Sequence, residues 1–436
     1  MFGANVWRRV LGVDRATVIE DVDFDEESDT VVVHVRPRRA TKRRCGRCGV
    51  RAPGYDQGEG RRNWRALDLG TLRCFLQSDS PRVNCPTHGP TVAQVPWARH
   101  GTGHTRDLDD TVAWLVTHTP KSTVSELLRI AWRSVGAIIE RVVADGRAAH
   151  DPFDSLTRIG LDEISYKRGH RYLTICVDHA SGRLVWAAVG RDKKTLNGFF
   201  DLLGPERCAQ IRLVSADAAE WIADVVAERC PNATICIDAF HVVAWATEAL
   251  DDVRREVWNE ARKGGMTQHA RALKGSRYAL WRNPEDLTRR QEAKLAWIAQ
   301  VNTKLYWAYL MKEQLRIAIR TKGVLALTML DGWLAWAQRC RIPAFVELGK
   351  KIKRNQAGIE AAMLHNLSNA LIESTNTKLR VLHRMAFGFR QPEHLIALAL
   401  LDRRWLLPAA AWAGPLISAG ACGAWLKGSW VWCPAG

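Results

Sequence analysis

The sequence predicts a multidomain α+β protein, and three observations carry that expectation. Paired β-branched runs near the N-terminus precede two Cys/His spacings, a central segment has the order β-β-β-α-β-α-β, and a long basic helical stretch follows it. At 436 residues with 47% hydrophobic content, the chain is long enough to bury several cores. Its 63 Lys+Arg against 46 Asp+Glu give a net charge of +17, which suits a polyanionic partner, nucleic acid first, better than a small metabolite. No apolar run approaches the roughly 20 residues that cross a bilayer. The opening "MFGANVWRRVLG" puts Arg8 and Arg9 where a signal peptide needs its apolar core. A cytoplasmic protein, nucleoid-associated when bound to DNA and with no membrane partner, is therefore expected. Eleven cysteines, odd in number and scattered except at one place, argue for metal ligation over a disulfide framework.

Residues 1–100 read as a β-hairpin and zinc-binding module. "TVIEDVDF" and "TVVVHV" are strands joined by the acidic turn "DEESD". The run "RPRRATKRR" that follows carries Arg36, Arg38, Arg39, Lys42, Arg43 and Arg44, either as a solvated linker or as an arm that contacts DNA phosphates. Cys45 and Cys48, then Cys85 and His88, form Cys-x2-Cys and Cys-x2-His, the spacing with which two knuckles converge on one tetrahedral Zn²⁺. The interval between the knuckles is longer than in a compact finger, so a small β ribbon is expected there. Ordinary loop thiols are the alternative; the glycine or proline turns beside both pairs favour zinc. Cys74 alternates with apolar residues and reads as a buried strand thiol.

Residues 101–150 read as a helix-turn-helix. "LDDTVAWLVTH" has helical period, "TVSELLRI" opens with Thr123 and Glu126 spaced as a capping box, and "SVGAIIERVV" follows the turn "AWRS". Ser134 to Arg141 is the candidate recognition helix, with Arg133, Ser134 and Arg141 as DNA contacts. A plain αα-hairpin fits the same pattern, and only the basic, zinc-bearing neighbour favours the DNA-binding reading.

Residues 151–245 hold strands at "RIGLDEISY", "RYLTICVD" and "RLVWAAVG", a helix at "KKTLNGFFDLL", a strand at "QIRLVSAD", a helix at "AAEWIADVVAERC" and a strand at "ATICID". With right-handed crossovers, strands one, four and five become parallel neighbours and the meander strands extend one edge, which is the ribonuclease-H-like α/β plan. Residues 246–362 are expected to be an all-helical insertion. Its tryptophans, together with Trp245 just before it, fill a core or, as the sharper alternative, stack on unpaired bases. Residues 363–407 return to the core with a last helix. Residues 408–436 form a Trp/Ala/Gly-rich tail whose single charge is Lys427 and which matches no recognisable element.

Asp162 interrupts the apolar first strand, and Asp217 ends the fourth, so on the inferred sheet both carboxylates face the crevice at the strand ends where α/β sheets bind ligands. Two such anions repel, and either protonation or a divalent cation relieves them; oxygen ligands favour Mg²⁺ or Mn²⁺. A third acid is offered by the helix "NALIESTNTKLRVLHRM", where Asn369, Glu373, Asn376, Arg380 and Arg384 share one face and Leu371, Leu379 and Leu382 another. If that polar face overhangs the sheet edge, Glu373 reaches the ions and Arg380 and Arg384 touch phosphates. Asp238, with His241 three residues on, ends the strand one place further out; it is the weaker candidate for the place given to Asp217.

The knuckles, the helix-turn-helix and the segments "GLDEISYKRGHRYLTICVD", "VSAD", "IDAFHVV" and "NALIESTNTKLRVLHRMAFGFR" together resemble the transposases of the ISL-three family of bacterial insertion sequences, from about Arg43 to Arg404. The resemblance implies a ribonuclease-H-like domain of the Asp-Asp-Glu type, interrupted by helices, that cuts at terminal inverted repeats and joins the ends to target DNA. Asp162, Asp217 and Glu373 match the metal-binding triad, and the wider group also carries an Asp or Cys followed three residues later by His, here Asp238 and His241. The expected chemistry is two-metal phosphoryl transfer on double-stranded DNA, in a dimer or larger assembly because two ends must be synapsed. His88 departs from a second Cys-x2-Cys pair, a change zinc tolerates. A zinc and helix-turn-helix regulator on an inactive domain, and a structure-selective nuclease without strand transfer, are the rival functions.

Overall fold

The computed structural model describes residues 4–402 apart from residues 168, 368, 387 and 390, so the tail at 408–436 lies outside the described residues. The chain divides into two compact units, residues 1–151 with 381 onward, and residues 152–380.

In the first unit a short helix α1 (Ala4–Val10) precedes a hairpin of β1 (Thr17–Asp25) and β2 (Thr30–Pro37). Alternation drives β2: Val31, Val33 and Val35 are buried while His34 and Arg36 face outward. Then come β3 (Gly54–Asp56), β4 (Arg61–Arg65), β5 (Arg73–Asp79), β6 (Arg82–Cys85) and β7 (Gly89–Val92). The expectation of one small ribbon between the knuckles needs correction, because this interval feeds two sheets. β4 and β5 join the hairpin in the order β1-β2-β5-β4, with β2 and β5 parallel, and β3, β6 and β7 form a separate sheet. The reason is burial: Trp64, Cys74 and Leu76 carry the same alternation as β2 and share its core, where Trp64 meets Trp97 edge to face at 5.5 Å. Cys74 is fully buried, and burial pushes its thiol up to about 11.

Three helices follow: α2 (Arg106–Val116), α3 (Lys121–Leu127) and α4 (Trp132–Ala149). Thr105 caps α2 by accepting from the Leu108 amide. The capping box expected at Thr123 is not formed, because α3 already begins at Lys121 behind Pro120 and places Thr123 inside the helix. α4 likewise starts two residues before Ser134, and its Val135, Ile138, Ile139, Val142 and Val143 form the buried stripe.

The second unit is built on a five-stranded sheet of β8 (Arg158–Lys167), β9 (Arg171–Asp178), β10 (Leu184–Val189), β11 (Leu213–Ala216) and β12 (Thr234–Ile237). Its order is β10-β9-β8-β11-β12, with β8, β11 and β12 parallel and the β8-β9-β10 meander antiparallel. Strands one, four and five are thus the parallel neighbours that the sequence pattern predicts. α5 (Lys193–Leu203), α6 (Pro205–Cys208) and α7 (Glu220–Arg229) complete the crossovers. Phe199, Phe200, Val225 and Val226 pack there against Ile159 and Leu161 of β8. Side chains alternate across a strand, so Gly160 and Asp162 face the other way.

Helices then follow without a strand among the described residues: α8 (Ala239–Lys263), α9 (Thr267–Lys274), α10 (Arg277–Trp281), α11 (Arg289–Val301), α12 (Thr303–Arg320), α13 (Val324–Arg339), α14 (Pro343–Arg354) and α15 (Gln356–His365). Of the tryptophans expected in their core, Trp333 is fully buried and donates its indole N–H to the Met311 carbonyl at 2.8 Å. Trp245, Trp258, Trp281, Trp297 and Trp336 are half-buried against that core, and Trp307 is exposed. Several lie under cations, Lys351 over Trp245 and Arg277 over Trp281 at 3.8 Å each.

The last described helices are α16 (Ala370–Met385) and α17 (Pro392–Asp402). α17 belongs to the first unit, where it packs on α4 and α2. The contact is close because Gly136 of α4 has no side chain: a Cβ there would lie 2.6 Å from the His394 ring, whose Nε2 is 3.3 Å from Glu140. No described helix is long and apolar enough to cross a membrane.

Candidate active site and zinc centre

The first 11 residues of α16 lie beside β8 in the second unit, and a glycine allows it. Gly160 shares a strand face with Asp162, and any side chain at 160 would collide with Ile372 of α16. With the helix that close, Asn376 donates its Nδ2 to Asp162 Oδ2 at 2.6 Å. The other oxygen of Asp162 accepts the Glu163 amide at 2.7 Å. Burial raises the Asp162 carboxyl above its ordinary value and the nearby Asp217 adds to the rise, while the Glu163 amide and Asn376 oppose it.

β11 ends at Ala216, so Asp217 emerges at the C-terminal end of the strand next to β8. His241, in the first turn of α8, brings Nε2 to 2.6 Å from Asp217 Oδ1. The Asp217 contact raises the imidazole above its ordinary value against burial, with Asp238 and Asp162 contributing. Asp238 ends β12 and is nearly fully buried; its Oδ1 accepts the backbone amide of Asn369 at 3.2 Å, immediately before α16 begins. α16 is therefore held to the sheet at two points, through Asn369 to Asp238 and through Asn376 to Asp162.

Glu373 lies between those anchors on the helix but is exposed, as are Arg380 and Arg384, whereas Asn369 and Asn376 are buried. The polar face read from the sequence is thus divided: its amides are packed and its charges stay in solvent. Asp217 and His241 lie near enough to act on the Asp162 carboxyl, and Asp217, Asp238 and Asp162 near enough to act on the His241 ring. Glu373 does not join Asp162 and Asp217 within 4.8 Å. Like charges brought together repel, which favours the solvated position for the third carboxylate. The donor set nevertheless suits a hard divalent cation. Asp238 Oδ2, Asn369 Oδ1 and Asn376 Oδ1 are buried with no hydrogen-bond partner among the described residues, one carboxylate and two amide oxygens of the kind such a cation takes.

Sequence reasoning missed Gly160, the Asp238 to Asn369 link, and Glu163, whose Oε2 is 2.9 Å from Arg191 Nε. A glycine two residues before a strand-central aspartate was the available signal, since i and i+2 share a face.

In the first unit Cys45, Cys48, Cys85 and His88 present their ligand atoms within 4.8 Å of one another, the one such group of His, Cys, Asp and Glu among the described residues. His88 Nδ1 lies 3.5 Å from Cys85 Sγ and 3.7 Å from Cys45 Sγ, and Cys48 Sγ is 3.6 Å from Cys85 Sγ. Those separations are the edges of a tetrahedron whose ligands stand about 2.0–2.3 Å from a central zinc. Burial raises the Cys85 thiol, but the His88 and Thr87 amides and the His88 ring outweigh it and bring it down to about 6, a thiolate at neutral pH.

The expected DNA contacts are placed as follows. Arg38, Arg39, Lys42 and Arg43 are exposed, and so is Arg44, which donates to the Gly49 carbonyl at 3.0 Å. Arg36 pairs with Glu20 at 2.6 Å. Arg133 is exposed and Ser134 half-buried at the start of α4. Arg141 turns inward to the fully buried Asp109 at 3.4 Å, which also faces Arg99 at 3.5 Å and His104 at 3.6 Å.

A family model for the transposases of ISL3 matches residues 159–399. The chain belongs to the ISL3 family of transposases. Two further models match this transposase: the helix-turn-helix domain of transposase family ISL3 at residues 93–143, and the zinc-finger of the transposases of IS204, IS1001, IS1096 and IS1165 at residues 41–88. The transposase is similar to the transposase for insertion sequence element IS1557 of Mycobacterium tuberculosis, 59% identical over 92% of this chain and 96% of the relative. It also resembles the transposase for IS1001 of Bordetella parapertussis, 26% identical over 86% of this chain and 92% of that one. The ISL3 transposase is therefore a DNA-binding protein with a zinc ribbon and a helix-turn-helix, and the four-ligand cluster is its structural zinc site.

Proposed function

We propose that this transposase binds the terminal inverted repeats of an insertion sequence and performs DNA cleavage and strand transfer with an Asp-Asp-Glu triad on a ribonuclease-H-like domain. Asp162, Asp217 and Glu373 would hold two Mg²⁺ or Mn²⁺ ions. The observation that carries the reading is the placement of Asp162 at the centre of β8, of Asp217 at the end of the adjacent parallel β11, and of α16 beside β8, tied to Asp162 by Asn376.

Bound there, the ions supply an activated attacking oxygen and stabilise the leaving 3′ oxygen. The protein's own groups do the rest. Asn376 keeps Asp162 Oδ2 turned toward α16, and the Asn369 amide fixes Asp238 so that the strand ends and the helix form one rim. His241 holds a proton against Asp217 and so lowers the repulsion between the acids. Glu373, on the exposed face of α16, closes toward the two aspartates when DNA and metal arrive, while Arg380 and Arg384 contact phosphates. The helices α8–α15 are the insertion within the catalytic domain. The assembly is a dimer or larger, since two ends react together.

The test is Mg²⁺-dependent cleavage and joining of a duplex bearing the element's end. Asp162→Ala, Asp217→Ala and Glu373→Ala are each expected to abolish both steps while leaving binding of that duplex intact. Cleavage by all three variants would overturn the triad. Cutting without joining by the wild type would favour a structure-selective nuclease, and binding without either step a DNA-binding regulator.

A further inference from the structure

The two sheets of the N-terminal unit enclose a cleft of about 470 Å³. One wall is the outward face of the β1-β2-β5-β4 sheet, where a chain of hydrogen bonds fixes the side chains. Arg61 can only donate, so its Nη1, 3.3 Å from His34 Nδ1, makes that nitrogen the acceptor. His34 Nε2 then carries the hydrogen and donates to Asp23 Oδ2 at 2.7 Å. The same Arg61 nitrogen donates to Gln77 Oε1 at 3.0 Å, and Gln77 Nε2 donates to Asn63 Oδ1 at 2.9 Å. On an exposed sheet face such order is a preset pattern of donors and acceptors. The opposite wall comes from β3 and β6, where Arg82 lies 5.3 Å over the Tyr55 ring and pairs with Asp56, and the Tyr55 ring stays 55% exposed. Pro81 and Val95 give the cleft apolar surface, and the exposed Lys42 and Arg43 line it as well.

We propose that this cleft receives an unpaired nucleotide of the DNA that the transposase binds. The inference rests on the reading that the chain engages DNA and extends it to a site separate from the helix-turn-helix. Elements that read duplex DNA project into a groove, whereas this surface is concave and of the size that encloses one small ligand. A base offers flat apolar faces and a polar edge, which match the Pro81, Val95 and Tyr55 surface and the ordered Arg61 and Gln77 groups. Its phosphate is matched by Lys42 and Arg43. A fully paired duplex presents neither an open base face nor a free edge to such a cleft.

The experiment compares, for the full-length zinc-loaded chain, fluorescence anisotropy with a ten-nucleotide oligo(dT) strand and with a fully paired duplex of the element's end. Gln77→Ala and, on the other wall, Tyr55→Ala are expected to weaken oligo(dT) binding about tenfold each and to leave duplex affinity within about twofold. Zinc content and the thermal transition, measured on the same samples, show that both variants are folded. Unchanged oligo(dT) affinity in both variants would overturn the proposal. Equal losses on strand and duplex would also overturn it, by reducing the cleft to a part of the general basic field. A wild type that binds the duplex but not the strand would overturn the cleft alone, and one that binds neither would overturn the DNA reading with it.

Discussion

Asn376 and Asp162 stand 214 positions apart in the chain and meet through a 2.6 Å hydrogen bond. The bond joins the helix that carries Glu373 to the centre of the sheet, so its removal loosens the geometry of the rim without touching the DNA-binding elements. A hydrogen bond to a charged group contributes roughly 1.5–3 kcal/mol. Asn376→Ala is expected to lower the cleavage rate at saturating DNA by at least about tenfold, with duplex affinity unchanged. Asn376→Asp sets a second carboxylate against Asp162 and should be worse. A normal rate in both variants would show that the bond positions nothing.

Zinc removal is expected to unfold the β3-β6-β7 sheet, because β6 ends on a ligand, Cys85, and the turn to β7 carries another, His88. Cys48→Ala should bind less than one zinc per chain, measured by metal analysis, and lose its low-temperature melting transition. His88→Cys should keep both, since zinc accepts four thiolates.

Arg141 and Arg133 are expected to separate stability from DNA binding. Arg141 serves the buried Asp109, which keeps Arg99 at 3.5 Å when Arg141 is removed, so the loss stays below the about 3–5 kcal/mol that stranding a buried charge costs. Arg141→Ala therefore shows mainly as a lower denaturation midpoint. Arg133→Ala leaves the midpoint in place and weakens duplex binding, with the salt slope falling by about 1. The opposite pattern would return Arg141 to the DNA surface.

Asp107 supplies a pH test. Burial, with Asp110 nearby, raises its carboxyl to about 6 against the pull of Arg99. The unfolded value is about 3.9. The native state thus holds this proton more tightly than the unfolded chain, and stability falls as pH rises from about 4 through 6. Asp107→Asn cannot ionise, so its thermal midpoint relative to wild type should climb over that window. A constant difference would refute the shift.

The strand sequence of the second unit was legible because each strand and helix has its own period and the crossover rule fixes the neighbours: β8, β11 and β12 lie as read. The four zinc ligands were legible because knuckle spacing is local. What the sequence hid depends on long-range choices. β4 and β5 leave the interval between the knuckles because their apolar face fits the β2 core, and no local signal states which core a strand will join. The amide links from Asn369 and Asn376 depend on how closely α16 approaches β8, which Gly160 decides. Arg141 counted as a DNA contact by position on α4, and its inward turn follows from Asp109, a residue on another helix.

The return of α17 to α4 has a consequence for synthesis. The first unit is assembled from residues 1–151 and from 381 onward, so its packing is incomplete while the ribosome is still making the segment between. The helices α2 and α4 gain their last partner only after the second unit has emerged. A truncated product that stops before Pro392 carries the helix-turn-helix without the helix that packs on it, and is expected to hold those helices less firmly.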